Sequence, residues 1–259
     1  MNSLSPLSSI ERQNQILQLL SGTARITIDQ VCEVFSVSQA TARRDLEALA
    51  GQRKLQRVHG GAIPLRQAVP EPPILVRSSE QEEQKQRIGR LAASLIEDGE
   101  AVFLGSSSTV LEVAKNLRQR RNLTVLTNSL LVMNTLAGLP EITLVSLGGI
   151  LRQSELSFIG HITELSLAEV RADKVFFGVR CLSLEHGLTN DYLPETLTDR
   201  AILGMGGRVI IVADYSKFGR VSTAFLAPLS AIHTLVTDSQ APVEFLSALE
   251  AQGIRIMIA

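Results

Sequence analysis

At about 100–200 residues per domain, a chain of 259 residues is expected to form two unequal units or one large one. Hydrophobic residues make up 45% and charged residues 20%, which excludes a disordered chain. Lys and Arg number 25 against 26 Asp and Glu, and only 4% of residues are aromatic; this excludes bulk coating of nucleic acid and argues against stacking single strands on exposed rings.

The first residues, Met1 to Pro6, lack a basic stretch followed by an apolar one, so no secretory signal is expected. No apolar run approaches the roughly 20 residues of a membrane helix, and a cytoplasmic protein is expected. Cys32 and Cys181 lie far apart with no C-x-x-C pair, which fits two free thiols in a reducing compartment.

Ile16, Leu17, Leu19 and Leu20 give a first helix its apolar face. A second helix starts near Thr27 or Asp29 with Val31, Val34 and Phe35 inward. After the break at 36–38, Ser38 is a good N-cap for a third helix. There Ala42, Leu46 and Leu49 form a buried stripe, and Ala40, Arg43, Arg44 and Glu47 fall on the opposite side. Residues 55–63 read as a hairpin turning at Gly60 and Gly61. Two helices joined by a tight turn, the second basic on its outer face, describe a helix-turn-helix with a recognition helix, although the same periodicity fits a small helical module with a solvated basic face. Arg43 and Arg44 can reach a guanine edge or a phosphate. Ser38, Gln39 and Thr41 cluster at the helix start, and Arg57 and His59 sit on the hairpin.

Pro64, Pro70, Pro72 and Pro73, followed by the polar run 78–86, read as a stiff connector opening into a helix start. The expected division is a DNA-binding unit 1–66, a linker and helix start 67–86, and a larger unit 87–259. Residues 1–66 carry eight basic and five acidic side chains, net +3, and the rest of the chain is net −4. The near-neutral total therefore averages a mildly basic unit and a mildly acidic one. Three excess charges are few for indiscriminate DNA binding, so specificity should rest on a few aimed arginines in a paired protein.

Beyond the connector, a helix is expected from about 80 to 97, stopped by Gly99. Short β-branched runs follow at 101–104, 123–126, 142–147, 174–178, 208–213, 232–237 and 254–258. Helical patterns separate many of them, at 110–118, 129–137, 161–170, 194–205 and 242–252. This alternation predicts a largely parallel α/β sheet. Small polar or glycine turns follow the first three strands: Gly105 to Thr109, then Thr127, Asn128 and Ser129, then Gly148 and Gly149. Such turns can hold an anion at the ligand-binding edge of an open α/β sheet, although Ser and Thr also serve as plain N-caps. His161, His186 and His233 show no metal spacing, and Glu155 and Glu195 look isolated, so no metal site, cofactor or catalytic set is expected.

Two stretches carry a family resemblance. Arg12, Ile16 and Leu20, then Ser38-x-x-Thr41-Ala42-Arg43-Arg44-Asp45-Leu46, then Val58-His59-Gly60-Gly61-Ala62 resemble the winged-helix signature of DeoR-type bacterial repressors. The resemblance implies that Ser38, Gln39, Thr41, Arg43 and Arg44 read double-stranded operator DNA, with Arg57 and His59 as wing contacts. Asp45 is better assigned to holding Arg44 or capping structure, because phosphate repels a carboxylate.

From about 88 to 238 the chain resembles the same family's sensor domain, which is similar in fold to sugar-phosphate isomerases. The resemblance implies a phosphorylated sugar or related metabolite held by Gly105, Ser106, Ser107, Ser108 and Thr109 and by Thr127, Asn128 and Ser129. Gly149, Arg152, Arg180 and Lys217 would order the rest of the ligand. Two positions depart from the pattern. Gly178-Val179-Arg180 stands where many relatives have Gly-Ala-Asp, and Asp199-Arg200 where many have Lys-Arg. The whole implies a repressor of a carbohydrate-metabolism operon, a homodimer or homotetramer, with operator affinity under effector control. The alternative is an isomerase-type enzyme carrying a DNA-binding module.

Overall fold

The computed structural model describes residues 8–21, 25–51, 54–58, 60–64 and 72–259, which group into two units, Met1–Arg66 and Gln67–Ala259. The first contains α1 (Ser9–Ser21), β1 (Ile26–Thr27), α2 (Ile28–Phe35), α3 (Gln39–Gly51), β2 (Leu55–Val58) and β3 (Gly61–Pro64). A capping box starts α2: Gln30 N–H donates to Thr27 Oγ1 at 3.2 Å, and Thr27 N–H donates to Gln30 Oε1 at 2.8 Å. Ser36, in the left-handed region at φ 51°, ends the helix and lets the chain double back into α3. The strands form an antiparallel sheet in the order β1-β3-β2, so the expected hairpin gains a third strand, β1.

Ile16, Leu20, Val31, Ala42, Leu46, Leu49 and Leu55 fill the core of this unit. Two residues expected inward are exposed, Leu19 at 41% and Val34 at 56%, while Leu17 and Phe35 are partly buried. Leu19 and Val34 each lie three residues after a fully buried position, Ile16 and Val31. The 300° turn carries them past the edge of a face completed by Leu20 and by Ile28.

The buried stripe of α3 includes Asp45, beside Leu46 and Leu49. Its partner is Arg12, not Arg44: Arg12 Nε donates to Asp45 Oδ2 at 2.6 Å, with Gln13 Nε2 and Ser9 Oγ both 3.1 Å from Oδ1. Burial works to raise the Asp45 pKa, but the hydrogen bonds from Arg12, Gln13 and Ser9 outweigh it and hold the carboxyl below the usual aspartate value. The lowered pKa makes this contribution to stability complete above the unfolded value and lost as pH falls through the folded one. Arg12→Ala leaves Asp45 buried without its cation and is expected to cost the first unit about 3–5 kcal/mol. Calorimetry of the full chain should show that unit's transition move down while the other stays in place.

The second unit opens with α4 (Ile74–Arg77) and α5 (Glu82–Ala93). The expected connector is thus folded from Ile74 onward; its stretch 65–71 lies outside the described residues. The expected helix to 97 stops early, at Ser94, whose Oγ donates to Leu91 O at 2.6 Å. There follow β4 (Ala101–Leu104), α6 (Ser108–Lys115), β5 (Leu123–Thr127), α7 (Leu130–Leu136), β6 (Ile142–Ser146), β7 (Ile150–Arg152), β8 (Ser157–Ile159) and α8 (His161–Ala168). The chain continues through β9 (Lys174–Gly178), β10 (Cys181–Ser183), β11 (Gly187–Asn190), α9 (Leu193–Gly204), β12 (Arg208–Val212), β13 (Ala224–Ala227), β14 (Thr234–Thr237), α10 (Val243–Glu250) and β15 (Arg255–Ile258).

All seven expected β-branched runs enter one parallel sheet, in the order β15-β14-β12-β9-β4-β5-β6. Apolar clusters cover both faces, one around Phe103, Phe177 and Leu235 and the other around Val102, Leu104 and Phe176. Two additions were not expected: the hairpin β7-β8 and a small antiparallel sheet β10-β11-β13. The chain winds outward through β5 and β6 on one side of β4, then returns to β9 and winds the other way. The order therefore reverses between β4 and β9, and the crevice beyond their carboxyl ends is where open α/β sheets bind ligands.

Candidate functional site

In the first unit, Arg43 and Arg44 are exposed on the face of α3 opposite Ala42, Leu46 and Leu49, as their spacing predicts. Ser38, Gln39 and Thr41 stand together at the start of that helix but are held by local bonds. Thr41 N–H donates to Ser38 Oγ at 3.3 Å, the two hydroxyls lie 3.0 Å apart, and Gln39 Nε2 donates to Asp29 Oδ1 at 3.2 Å. Arg57 on β2 donates from Nη1 to Arg43 O at 3.3 Å, tying the wing to α3. His59 lies outside the described residues.

In the second unit a pocket opens between the carboxyl ends of β4 and β9. Ser106 and Ser107 from the first loop meet Gly178, Val179 and Arg180 from the second. Gly178 has to be glycine, because a Cβ there would come within 2.4 Å of the Ser107 side chain. Ser107 caps α6 by accepting from Val110 N–H at 2.9 Å, and Ser106 Oγ donates to Glu155 O at 3.0 Å.

Three arginines enter this pocket, each facing a carboxylate. Arg77 from α4 pairs with Glu155, and Arg152 from β7 pairs with Glu195 of α9. Arg180 Nη1 lies 3.0 Å from Asp191 Oδ2. Arg152 also lies 4.5 Å from the centroid of the Tyr192 ring, a cation–π contact. These pairs leave a cavity of about 50 Å³ for the centres of water-sized spheres, where about 10–15 Å³ suffices for one water, so a few waters fit between them. The pocket is thus cationic in its donors, and each of those donors already faces an acid of the protein's own.

Burial raises the pKa of Glu195, against the opposing pull of Arg152. Asp199, one helical turn further on, is raised well above the aspartate range by burial and then by the Glu195 charge. Asn190 Nδ2 donates to its Oδ2 at 2.7 Å. As pH rises from the ordinary aspartate value toward this raised one, the unfolded side chain ionises before the folded one, and stability falls. Asp199→Asn is the same shape and does not titrate. It is therefore expected to melt above the wild type at neutral pH, with the gap closing as pH falls toward about 4. Melting curves across that range check it.

Of the residues expected to hold an effector, the pocket brings together Ser106, Ser107, Arg152 and Arg180. Gly105, Ser108 and Thr109 flank it in the same loop and helix turn but do not line it. Thr127, Asn128 and Ser129 are almost wholly buried and anchor the β7-β8 hairpin: Asn128 Nδ2 donates to Phe158 O at 3.0 Å, and Phe158 N–H donates to Asn128 O at 2.8 Å. A Cβ on Gly149 would meet Thr163 Oγ1 at 2.1 Å, so its glycine serves the packing of α8. Lys217 sits in a short turn after β12, outside the pocket lining. Arg77, Asn190 and Asp191, which no sequence motif marks, line the pocket together with Glu155 and Glu195, which stand isolated in the sequence. Among the described residues no His, Cys, Asp and Glu cluster could hold a metal ion, and no helix is long and apolar enough to cross a membrane.

Comparison with known proteins matches residues 12–68 to a DeoR-like helix-turn-helix domain and residues 80–239 to a DeoR C terminal sensor domain. The transcriptional repressor AccR of Agrobacterium fabrum is 34% identical over 90% of both chains. The HTH-type transcriptional repressor GlcR of Bacillus subtilis is 35% identical over 96% of this chain and 95% of its own. The glycerol-3-phosphate regulon repressor of Escherichia coli is 32% identical over 96% of this chain and 99% of its own.

Proposed function

Because the chain belongs to the DeoR family of transcriptional regulators, we propose that it is a cytoplasmic repressor of a carbohydrate operon whose operator affinity is set by a phosphorylated sugar or polyol. The observation that carries the effector class is the convergence of Arg77, Arg152 and Arg180 with two serine hydroxyls at the switch point of the sheet. A phosphoryl group offers the arginines anionic oxygen acceptors in place of those that Glu155, Glu195 and Asp191 offer in its absence. Binding then exchanges internal acids for the ligand's, and the displaced carboxylates report occupancy to the elements that carry them, α9 above all.

On this reading Met1–Arg66 is the reader and Gln67–Ala259 the sensor. Arg43 and Arg44 read the operator, with Ser38, Gln39, Thr41, Arg57 and His59 around them. The protein works as a symmetric oligomer, because half-sites are read in pairs. A gel shift comparing the promoter beside its own gene with random DNA tests the repressor reading, which fails if the protein shows no preference.

One observation favours a second reading. Glu195 and Asp199 place two carboxyl groups in the pocket, and an isomerase needs an acid and a base. Glu195 is engaged by Arg152 and Ser157, and Asp199 by Asn190, so we read both as partners of the protein's own side chains and the protein as no enzyme. Interconversion of any member of a phosphosugar panel would reverse that.

A further inference from the structure

Helix α9 has two opposed faces. Glu195 and Asp199 point into the pocket, whereas Leu193 and Leu197, one turn apart on the other side, are 57% and 49% exposed. The solvent side of α8 likewise shows Ile162 and Leu165. The two helices pack on each other and on the same strand, β8, with Thr198 Oγ1 of α9 donating to Glu164 Oε1 of α8 at 3.0 Å and accepting from Gly160 N–H at 2.9 Å. Their outer stripes therefore adjoin. Phe225 of β13 extends the apolar face beside α9, with the Arg200 guanidinium 6.0 Å from its ring centroid, and Ile150 of β7 extends it at the start of α8.

We infer that this face, Ile150, Ile162, Leu165, Leu193, Leu197 and Phe225, docks a second copy of the chain. The inference rests on the paired-reader view above and names the surface that view leaves open. These six side chains expose on the order of 600 Å², against about 800 Å² that each partner gives to a stable interface of standard size. A patch of this size lies at the top of the range of about 300–600 Å² that monomers expose, where such patches often serve as interaction surfaces. The charges on the face suit two-fold contact: exposed Glu169 follows α8 and exposed Arg200 lies on α9, so a copy related by a dyad can set one against the other. Nothing cationic dominates the face, as a nucleic acid would require. Tyr192, at the head of α9, lies over Arg152 and is itself 42% exposed, so the pocket and the face meet along one helix.

Analytical ultracentrifugation of the full chain tests the proposal. The wild type is expected to sediment as a dimer or a multiple of one at micromolar concentration. Leu197→Glu and Ile162→Glu change exposed positions, so both should stay folded by circular dichroism, with melting temperatures that match the wild type at concentrations where it too is monomeric, while the dissociation constant rises at least about thirtyfold, the loss of one hot-spot residue. Val243→Glu, on α10 at 75% exposure, is the control and should sediment like the wild type. A monomeric wild type overturns the proposal, as does a Leu197→Glu variant with unchanged mass. If that variant keeps its mass but is cut faster by protease between residues 65 and 71, the face is instead covered by the chain's own first unit. Sedimentation needs neither DNA nor effector, so its failure is distinct from a failed gel shift, which would sink the repressor reading and leave the assembly standing.

Discussion

Alanine at Arg43 or Arg44 is expected to weaken binding to the operator by about 5- to 150-fold, the 1–3 kcal/mol of a bidentate arginine–guanine pair. Both side chains are exposed on α3 and neither supports the core, so the melting temperature of either variant should match the wild type. The two roles left open for each arginine separate on measurement. A residue that reads a base edge loses affinity for the operator while its weak binding to random DNA stays the same. One that holds a phosphate weakens both alike and lowers the slope of log affinity against log salt by about one. Titrations at several salt concentrations, on operator and random DNA, therefore assign each side chain. A variant that kept full operator affinity would remove that arginine from the reader. The neighbours at the start of α3 are poorer probes. Ser38 caps the helix through Thr41, so replacing it costs about 1 kcal/mol of helix stability whatever it does on DNA.

What the sequence made legible follows the range over which each signal acts. The stripe of α3 depends on spacing within one helix, and its buried and exposed sides lie where 100° per residue puts them. The seven strands of the parallel sheet are short runs rich in Val, Ile, Leu, Phe and Thr that need no partner to be recognised, since the central ones are buried on both faces and apolar for most of their length. By contrast, β7, β8 and β10 are three residues each, and β13 joins its sheet across a long intervening stretch. Such strands are defined by their partners, and no local pattern marks them. Helix α4 was hidden by Pro72 and Pro73, which read as a connector and in fact lead into the helix.

The site divides the same way. The hydroxyl-rich loop after β4 was visible because small polar residues follow an apolar run. The acids were not: Glu155 meets an arginine 78 positions away and Glu195 one 43 positions away. Glu155 and Glu195 looked solitary because a charge pair leaves no periodicity. The departure noticed at Arg180 has a structural counterpart, since its guanidinium faces Asp191 across the pocket mouth. Asp199, the other departure, is placed beside Asn190 in surroundings that favour its neutral form.

The strongest test of the pocket is a pair of substitutions in contact with each other and opposite in sign. If the pocket holds the effector as proposed, Arg152→Ala removes a donor to the ligand's phosphoryl group, and charged hydrogen bonds contribute about 1.5–3 kcal/mol, so affinity for the effector should fall by about 10- to 150-fold. Glu195→Gln keeps the shape but removes the acid that Arg152 holds when no phosphate is bound. The ligand then displaces an amide instead of a carboxylate and meets one fewer negative charge, so affinity should rise about tenfold, or 1.4 kcal/mol. Thermal-shift titrations with a panel of phosphorylated sugars and polyols measure both, because a ligand stabilises the native state by RT ln(1 + [L]/Kd). Arg152→Ala strands a buried carboxylate and lowers the starting melting temperature, but the shift on adding ligand is read within each variant and is independent of that offset. A merely structural Arg152–Glu195 pair would lower ligand response in both variants. Only a pair that stands in for the ligand, with Glu195 as the competitor, gives loss in one and gain in the other. The gain should also appear on DNA: if the effector releases the operator, Glu195→Gln needs about a tenth of the wild-type concentration to do so, whereas an effector that promotes binding gives the same leftward shift with the opposite outcome.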